Sequence, residues 1–268
     1  VWQLLSFLIG SELLLPSPWA VVRSFCGLAQ TTEFYRSILH TLLRVAAGFA
    51  AGMAAGLLAG TLTAFSRAAD VLLTPLKNII KATPVTSFIV LILLYFSSNV
   101  TPSAVAFLAV LPICWSNVCE GLRQTDKKMT ELAHAYAFGR KKTLREIYFP
   151  AVRPYLSAAA TTGLGFAWKS CVAAEVIALS KNSVGRALYE SKLYLETAEL
   201  FAWTASVVLI SVLFEKLLVH KLFKNKNTEG AAGRRSESLE HGHASCEAEL
   251  QYKSDAYAEY GRDEERNI

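Results

Sequence analysis

Charge is what this sequence has least of. Charged residues make up 18% of its 268 residues, and the windows from Val45 to Ser66 and from Val100 to Cys119 are almost free of them. A soluble domain does not leave stretches of that length without charge, whereas a bilayer core needs roughly 20 apolar residues of helix. Other absences narrow the class further. The five cysteines (Cys26, Cys114, Cys119, Cys171, Cys246) have neither paired metal spacing nor an even count, and three lie in apolar stretches, so they read as small packing residues. Gly139-Arg140-Lys141-Lys142-Thr143 echoes a phosphate loop but has His134 where the motif needs glycine. No catalytic cluster of acids, histidines or metal ligands shares one depth, which argues against a membrane enzyme. His241-Gly242-His243 and Cys246 lie in a polar tail without further ligands and do not define a metal site.

Apolar residues are abundant instead, at 53% with a mean hydropathy of +0.32 despite the polar final stretch. Lipid offers backbone groups no water to bond with, so these windows read as helices and the fold class as all-α and polytopic. The opening run Val1 to Ile9 is too short to span and reads as the end of a first, incomplete transmembrane helix. Gly10 to Ser37 suits a loop with a short surface helix. Leu39 to Phe65 is a full span. Arg67 to Lys81 is an interfacial connection, and Pro84 to Phe96 is a short span expected to borrow residues from either side. Thr101 to Cys119, Tyr155 to Leu179 and Leu200 to Phe223 complete five whole spans, with Ser180 to Glu199 a polar loop. Residues 1–223 thus form the membrane domain. Residues 224–268, rich in Glu, Ser, Gly, Lys and Arg, cannot bury enough to fold alone and are expected to be a disordered tail.

The net charge of +5 does not indicate nucleic-acid binding, because the bases cluster between apolar segments. One side of the layout receives Arg67, Lys77, Lys81, eight bases between Arg123 and Arg153, and the tail. The other receives only Arg23, Arg36, Lys181, Arg186 and Lys192. The basic side is cytoplasmic, which places the tail there in a multi-pass cell-membrane protein.

Gly48, Gly52, Gly56 and Gly60 recur every four residues with alanines between them. They form one stripe at which another helix backbone can approach closely. Three charges within the spans need reasons, because each costs about 2.5 to 3.5 kcal/mol on insertion scales. Arg44 is near the outer end of its span and can snorkel. Lys169 and Glu175 lie six residues apart, about 240° around a helix, so each needs a partner on another helix, or water. With Trp168 they are candidates for lining a path through the membrane, Lys169 being the deeper of the two charges. Helix-to-helix bonding is an equal reading for it.

The polar insertion of residues 122–154 carries the most specific signal. It reads Glu131-Leu132-Ala133, three residues, Ala137, nine residues, Ile147-Tyr148-Phe149-Pro150. This resembles the loop of ABC importer permeases in which Glu-Ala-Ala, three residues, Gly, nine residues and Ile-x-Leu-Pro stand in order. Leu132, Ala137 and Phe149 depart from that pattern, and glycine occurs only at Gly139. The run from Gly163 through Trp168-Lys169-Ser170 to Glu175 is similar to permeases of the nitrate, sulfonate and taurine group.

The resemblance implies a type I importer permease fold of about six transmembrane helices. It implies a homodimer of permease copies in membrane lipid, two cytoplasmic ATPase subunits and an extracytoplasmic substrate-binding protein. Glu131, Ala133, Ala137, Gly139, Ile147 and Pro150 would form the ATPase-coupling loop. This chain would hold no cofactor, with ATP and Mg on the ATPase partner. The implied cargo is a small anion such as a sulfonate, taurine or nitrate. A pyrimidine or thiamine precursor, and a stand-alone ion-coupled carrier, are the alternatives.

Overall fold

A computed structural model of the chain describes residues 1–126, 129, 131, 133, 135, 136, 138–214 and 216. All its regular structure among the described residues is helical. The first two helices are short: α1 (Trp2–Ile9) closes on Gly10 with φ 63°, and α2 (Pro18–Leu28) starts on proline behind Ser17. Ser17 Oγ accepts the Ala20 amide at 3.2 Å, as an N-cap does. The third, α3 (Thr32–Phe65), runs 34 residues, about 51 Å, and begins well before the expected Leu39 because Thr31 caps it. Ser66 ends α3 and caps α4 (Arg67–Ala82), its Oγ accepting the Ala69 amide.

The chain then departs from the expected layout. Pro84 does not let α5 (Val85–Tyr95) borrow residues from α4, because the residue before a proline is driven from helical geometry, and Thr83 sits at ψ 127°. The two helices meet at 103°, a broken or re-entrant span rather than a straight one. The next helix, α6 (Thr101–Arg123), crosses in one piece. Beyond the insertion, α7 (Arg140–Thr143) passes through a π-helical turn (Leu144–Tyr148) into α8 (Phe149–Ala178). The expected polar loop after α8 contains a helix, α9 (Val184–Leu193), capped by Ser183. The last described helix is α10 (Thr197–Phe214).

Among the described residues, α3, α6 and α10 are long and apolar enough to cross a membrane alone, and the pair α4–α5 reaches that length and apolar content only when its two bent helices are taken together. The 30 residues of α8 have the length, but its charged and small residues keep it below the apolar content of those three. In the core α3, α6 and α8 pack together, with Val45, Ala106, Val110, Ala167, Trp168 and Cys171 buried where they meet. α10 closes this group by setting Phe214 on Trp168, ring centroids 5.5 Å apart, and Trp203 on Phe34 at 5.0 Å.

The glycine stripe is the α3 side of the closest helix pair. All four glycines are buried. A Cβ at Gly52 would lie 2.8 Å from Val110 Cβ, at Gly56 2.6 Å from Cys114 Cβ, and at Gly60 2.8 Å from the Trp115 carbonyl. Any side chain there would push α6 away and lose the contacts between the backbones.

Candidate functional site

Two charged places on the helices separate cleanly. The first is a buried node at the end of the bundle where α8 stops. Arg44 Nη1 donates to Glu175 Oε1 at 2.9 Å, with the arginine side chain 12% and the glutamate 0% exposed. Thr41 Oγ1 lies 2.9 Å from Glu175 Oε2, and the Gly185 amide donates to the same oxygen at 3.3 Å. The Val184 amide in turn donates to Thr41 Oγ1 at 3.1 Å. Arg44 Nη2 donates to the Lys181 carbonyl at 2.8 Å and reaches Asn99 Oδ1 at 3.4 Å, while Asn99 accepts the Lys181 amide. Each charge has a partner and further hydrogen bonds, as buried charge requires.

Arg44 therefore does not snorkel. It turns inward and ties α3 to α8, to the α8–α9 loop at Lys181 and to the α5–α6 turn. Two residues of the α8–α9 loop, Leu179 and Asn182, have φ of 51° and 48°, the left-handed region that costs a branched side chain about 1–2 kcal/mol. The node holds that loop in place. Sequence reading placed Glu175 and Arg44 near one end but had no signal for Thr41, Asn99 or Gly185, which belong to other turns of the chain.

The second place is Lys169. It lies six residues before Glu175, about 9 Å deeper along α8. It is exposed, on a stripe with Thr162, Phe166, Ala173 and Ile177 that the protomer leaves uncovered. Trp168 beside it points the other way, 1% exposed in the core against Phe214, and its indole N–H has no hydrogen-bond partner among the described residues. Of the three candidate path residues, Lys169 alone is exposed. Trp168 and Glu175 are enclosed.

The polar insertion lies at the opposite end of the bundle. Met129, Glu131, Ala133 and Ala135 are helical, Glu131 and Tyr136 are exposed, and the Phe138 amide donates to the Ala133 carbonyl at 2.9 Å. Ala133 is already covered by its own chain. Gly139 and Pro150 are exposed, Ile147 is half-buried in the π-helical turn, and Lys142 sits 4.1 Å above the Phe138 ring. Ala137 lies outside the described residues. Exposed Tyr136, Leu144 and Phe149 stand among the bases of this end. Tyr148 packs edge-on against Phe65 at 5.3 Å, which ties the segment to the inner end of α3.

A polar cleft of about 680 Å³ opens near the node, lined by Arg36, Lys181, Arg186, Glu190, Glu199 and Trp203 among others. It lies between the first turns of α3 and α9, apart from Lys169.

An all-helical bundle with exposed apolar faces and a lysine on one of them has the form of a membrane transport permease. The chain belongs to the family of binding-protein-dependent transport system inner membrane components, which matches residues 52–220. It is thus a multi-pass inner-membrane permease subunit of an ABC importer of the nitrate and sulfonate group, and the family implies ATPase and substrate-binding-protein partners. The stand-alone carrier considered from the sequence is set aside by this membership. The chain is 27% identical over 234 residues to a putative aliphatic sulfonates transport permease protein of Bacillus subtilis, covering 85% of this chain and 84% of that one. It is 31% identical over 214 residues to a riboflavin transport system permease protein of Chloroflexus aurantiacus, covering 77% and 80%. In fold it is similar to a crystal structure of an amino acid ABC transporter, with a TM-score of 0.59 at 16% identity over 72% of this chain and 93% of that one.

Proposed function

We propose that two copies of this chain face each other across a path lined by the exposed stripe of α8, and that they pass a small anion, with sulfonates the favoured class. The observation that carries this reading is Lys169, a charged side chain at depth on an uncovered face. A lysine there is costly against lipid and is relieved by water and by an anionic cargo. The name of the Bacillus subtilis relative supports the same class. The exposed surface around Tyr136, Leu144 and Phe149 seats the cytoplasmic ATPase, which binds ATP and Mg, and the polar insertion couples its closure to the helices. The outer cleft faces the binding protein, and the tail is cytoplasmic.

The test is ATP-dependent uptake by the complete importer in proteoliposomes, with ethanesulfonate, nitrate and riboflavin as cargoes. Lys169→Gln is expected to lower anion uptake about tenfold, with Lys169→Arg restoring most of it and the basal ATP turnover of both variants unchanged. Uptake of sulfonate by Lys169→Gln at the wild-type rate would remove the path role. A heterocyclic cargo is the second reading, favoured by the riboflavin permease relative. Saturable riboflavin uptake without sulfonate uptake decides for it.

A further inference from the structure

The helix α4 has an unusual position for its composition. α5 packs beside the spanning helix α6, burying Ile89 and Ile92 against Val105, and so runs broadly with the crossing direction. At 103° to α5, α4 then lies close to the plane of the membrane. Its place is the cytoplasmic side: it starts where α3 ends, and Asp70 holds the last residue of α6 through the Arg123 guanidinium at 2.6 Å. Thr74 donates to the same carboxylate at 3.0 Å, and Lys77 sits 5.6 Å from the Trp115 ring centroid. These residues turn one face of α4 to the protein.

The remaining surface is divided in two. Val71, Leu72, Pro75, Leu76 and Ile79 are exposed along one strip. Arg67 and Asn78 are exposed along its edge at about 100° per residue, and Lys81 is exposed in the last turn of the helix, on the side of Asp70 and Thr74. Pro75 has no N–H, so the Val71 carbonyl four residues earlier lacks its helical partner. In the acyl core an orphaned carbonyl is expensive; at headgroup level water reaches it. An apolar strip bordered by bases and lying in the membrane plane is the form of a helix that rests in the interface.

We propose that α4 is a lipid-binding surface helix, with Val71, Leu72, Leu76 and Ile79 among the acyl chains of the cytoplasmic leaflet and Arg67 and Lys81 on anionic phospholipid headgroups. The proposal rests on the reading of the chain as an importer permease. Because Asp70 grips Arg123, where the polar insertion leaves α6, acidic lipid held by α4 steadies the root of the coupling segment, and transport follows the acidic-lipid content of the leaflet.

Two experiments test it. In the first, a fluorophore is attached at Ile79→Cys in the full chain carrying Cys26→Ser and Cys246→Ser, the buried cysteines being left in place. The protein is placed in phosphatidylcholine vesicles with nitroxide-labelled lipid at headgroup, shallow-acyl or deep-acyl position. Quenching strongest from the shallow label is expected. Strongest quenching from the deep label makes α4 part of a span, and none from any label means that protein, such as the second copy, covers the strip; either overturns the proposal.

In the second, the importer is compared in phosphatidylcholine vesicles with and without phosphatidylglycerol. Uptake is expected to rise about threefold with the anionic lipid, soluble glycerol phosphate giving no rise. Arg67→Gln with Lys81→Gln should abolish the gain, and Arg67→Lys with Lys81→Arg should keep it. Equal uptake in both lipids, or a gain that survives the glutamine pair, overturns the lipid role. Absence of wild-type uptake in every vesicle counts against the importer reading instead, and the quenching result still decides the place of α4.

Discussion

Arg44 on α3 and Glu175 on α8 are 131 residues apart in sequence and 2.9 Å apart in space, and Glu175 has no exposure to solvent at all. Their pairing joins the N-terminal part of α3 to the C-terminal end of α8. It also explains how two charges are tolerated in apolar stretches, since each neutralises the other, and Thr41, the Gly185 amide and the Lys181 carbonyl add further hydrogen bonds.

Removing one member leaves the other charged and buried. Glu175→Ala is expected to destabilise the permease by about 3–5 kcal/mol, seen as a large drop in melting temperature in detergent. The double replacement Arg44→Met with Glu175→Gln should cost much less, because no unpaired charge remains. A double variant as unstable as the single one would show that the node contributes through packing rather than charge pairing.

The helix contact between α3 and α6 gives a contrast between two kinds of glycine. Gly56→Leu forces bulk between backbones in contact and is expected to cost about 1–3 kcal/mol or more, with loss of assembled protein in thermal-shift and gel-filtration measurements. Gly163→Ala is expected to be neutral or stabilising by up to about 1 kcal/mol, since its Cβ would meet Val110 Cγ1 at 3.4 Å, ordinary contact. Equal melting temperatures for Gly56→Leu and wild type would mean that the two helices separate without cost.

Leu179 is held at φ 51° as α8 ends, a conformation natural to glycine. Leu179 is 41% exposed, so Leu179→Gly gives up only part of a leucine's burial. A gain of up to about 1 kcal/mol is expected, read as a higher unfolding temperature with uptake unchanged. A loss of stability would show that the leucine side chain is held by something else, such as the partner subunit.

Coupling is tested on the exposed surface of the insertion, since Ala133 is covered by its own chain. Tyr136 is 71% exposed beside it. Tyr136→Asp is expected to leave membrane insertion and thermal stability unchanged, while lowering both binding-protein-stimulated ATP hydrolysis and uptake about tenfold through an uncompensated charge at the ATPase contact. Wild-type hydrolysis and uptake in this variant would place the ATPase contact elsewhere on the insertion.

Much of this was legible in the linear chain. Apolar windows mark helices because lipid forces backbone hydrogen bonds to close within a segment. The period of four glycines marks one face of α3 because helix geometry is the same in any context. The register from Glu131 to Pro150 marks the polar insertion.

Periodicity states which residues share a face, but not which faces meet. That Trp168 is enclosed while its neighbour Lys169 is open followed only from the packing of α10 on α8. That Arg44 turns inward depended on two distant parts of the chain arriving beside it, the end of α8 and the loop after it with Glu175 and Lys181, and the α5–α6 turn with Asn99. The 103° angle at Pro84 is likewise tertiary: proline breaks the helix locally, but the direction in which the chain resumes is set by α5 finding α6 and by Asp70 finding Arg123. The sequence by itself determined the helices and their faces. The pairing of those faces, and with it the difference between a buried charge and an open one, was decided by long-range packing, in which the burial of each residue depends on all its neighbours at once.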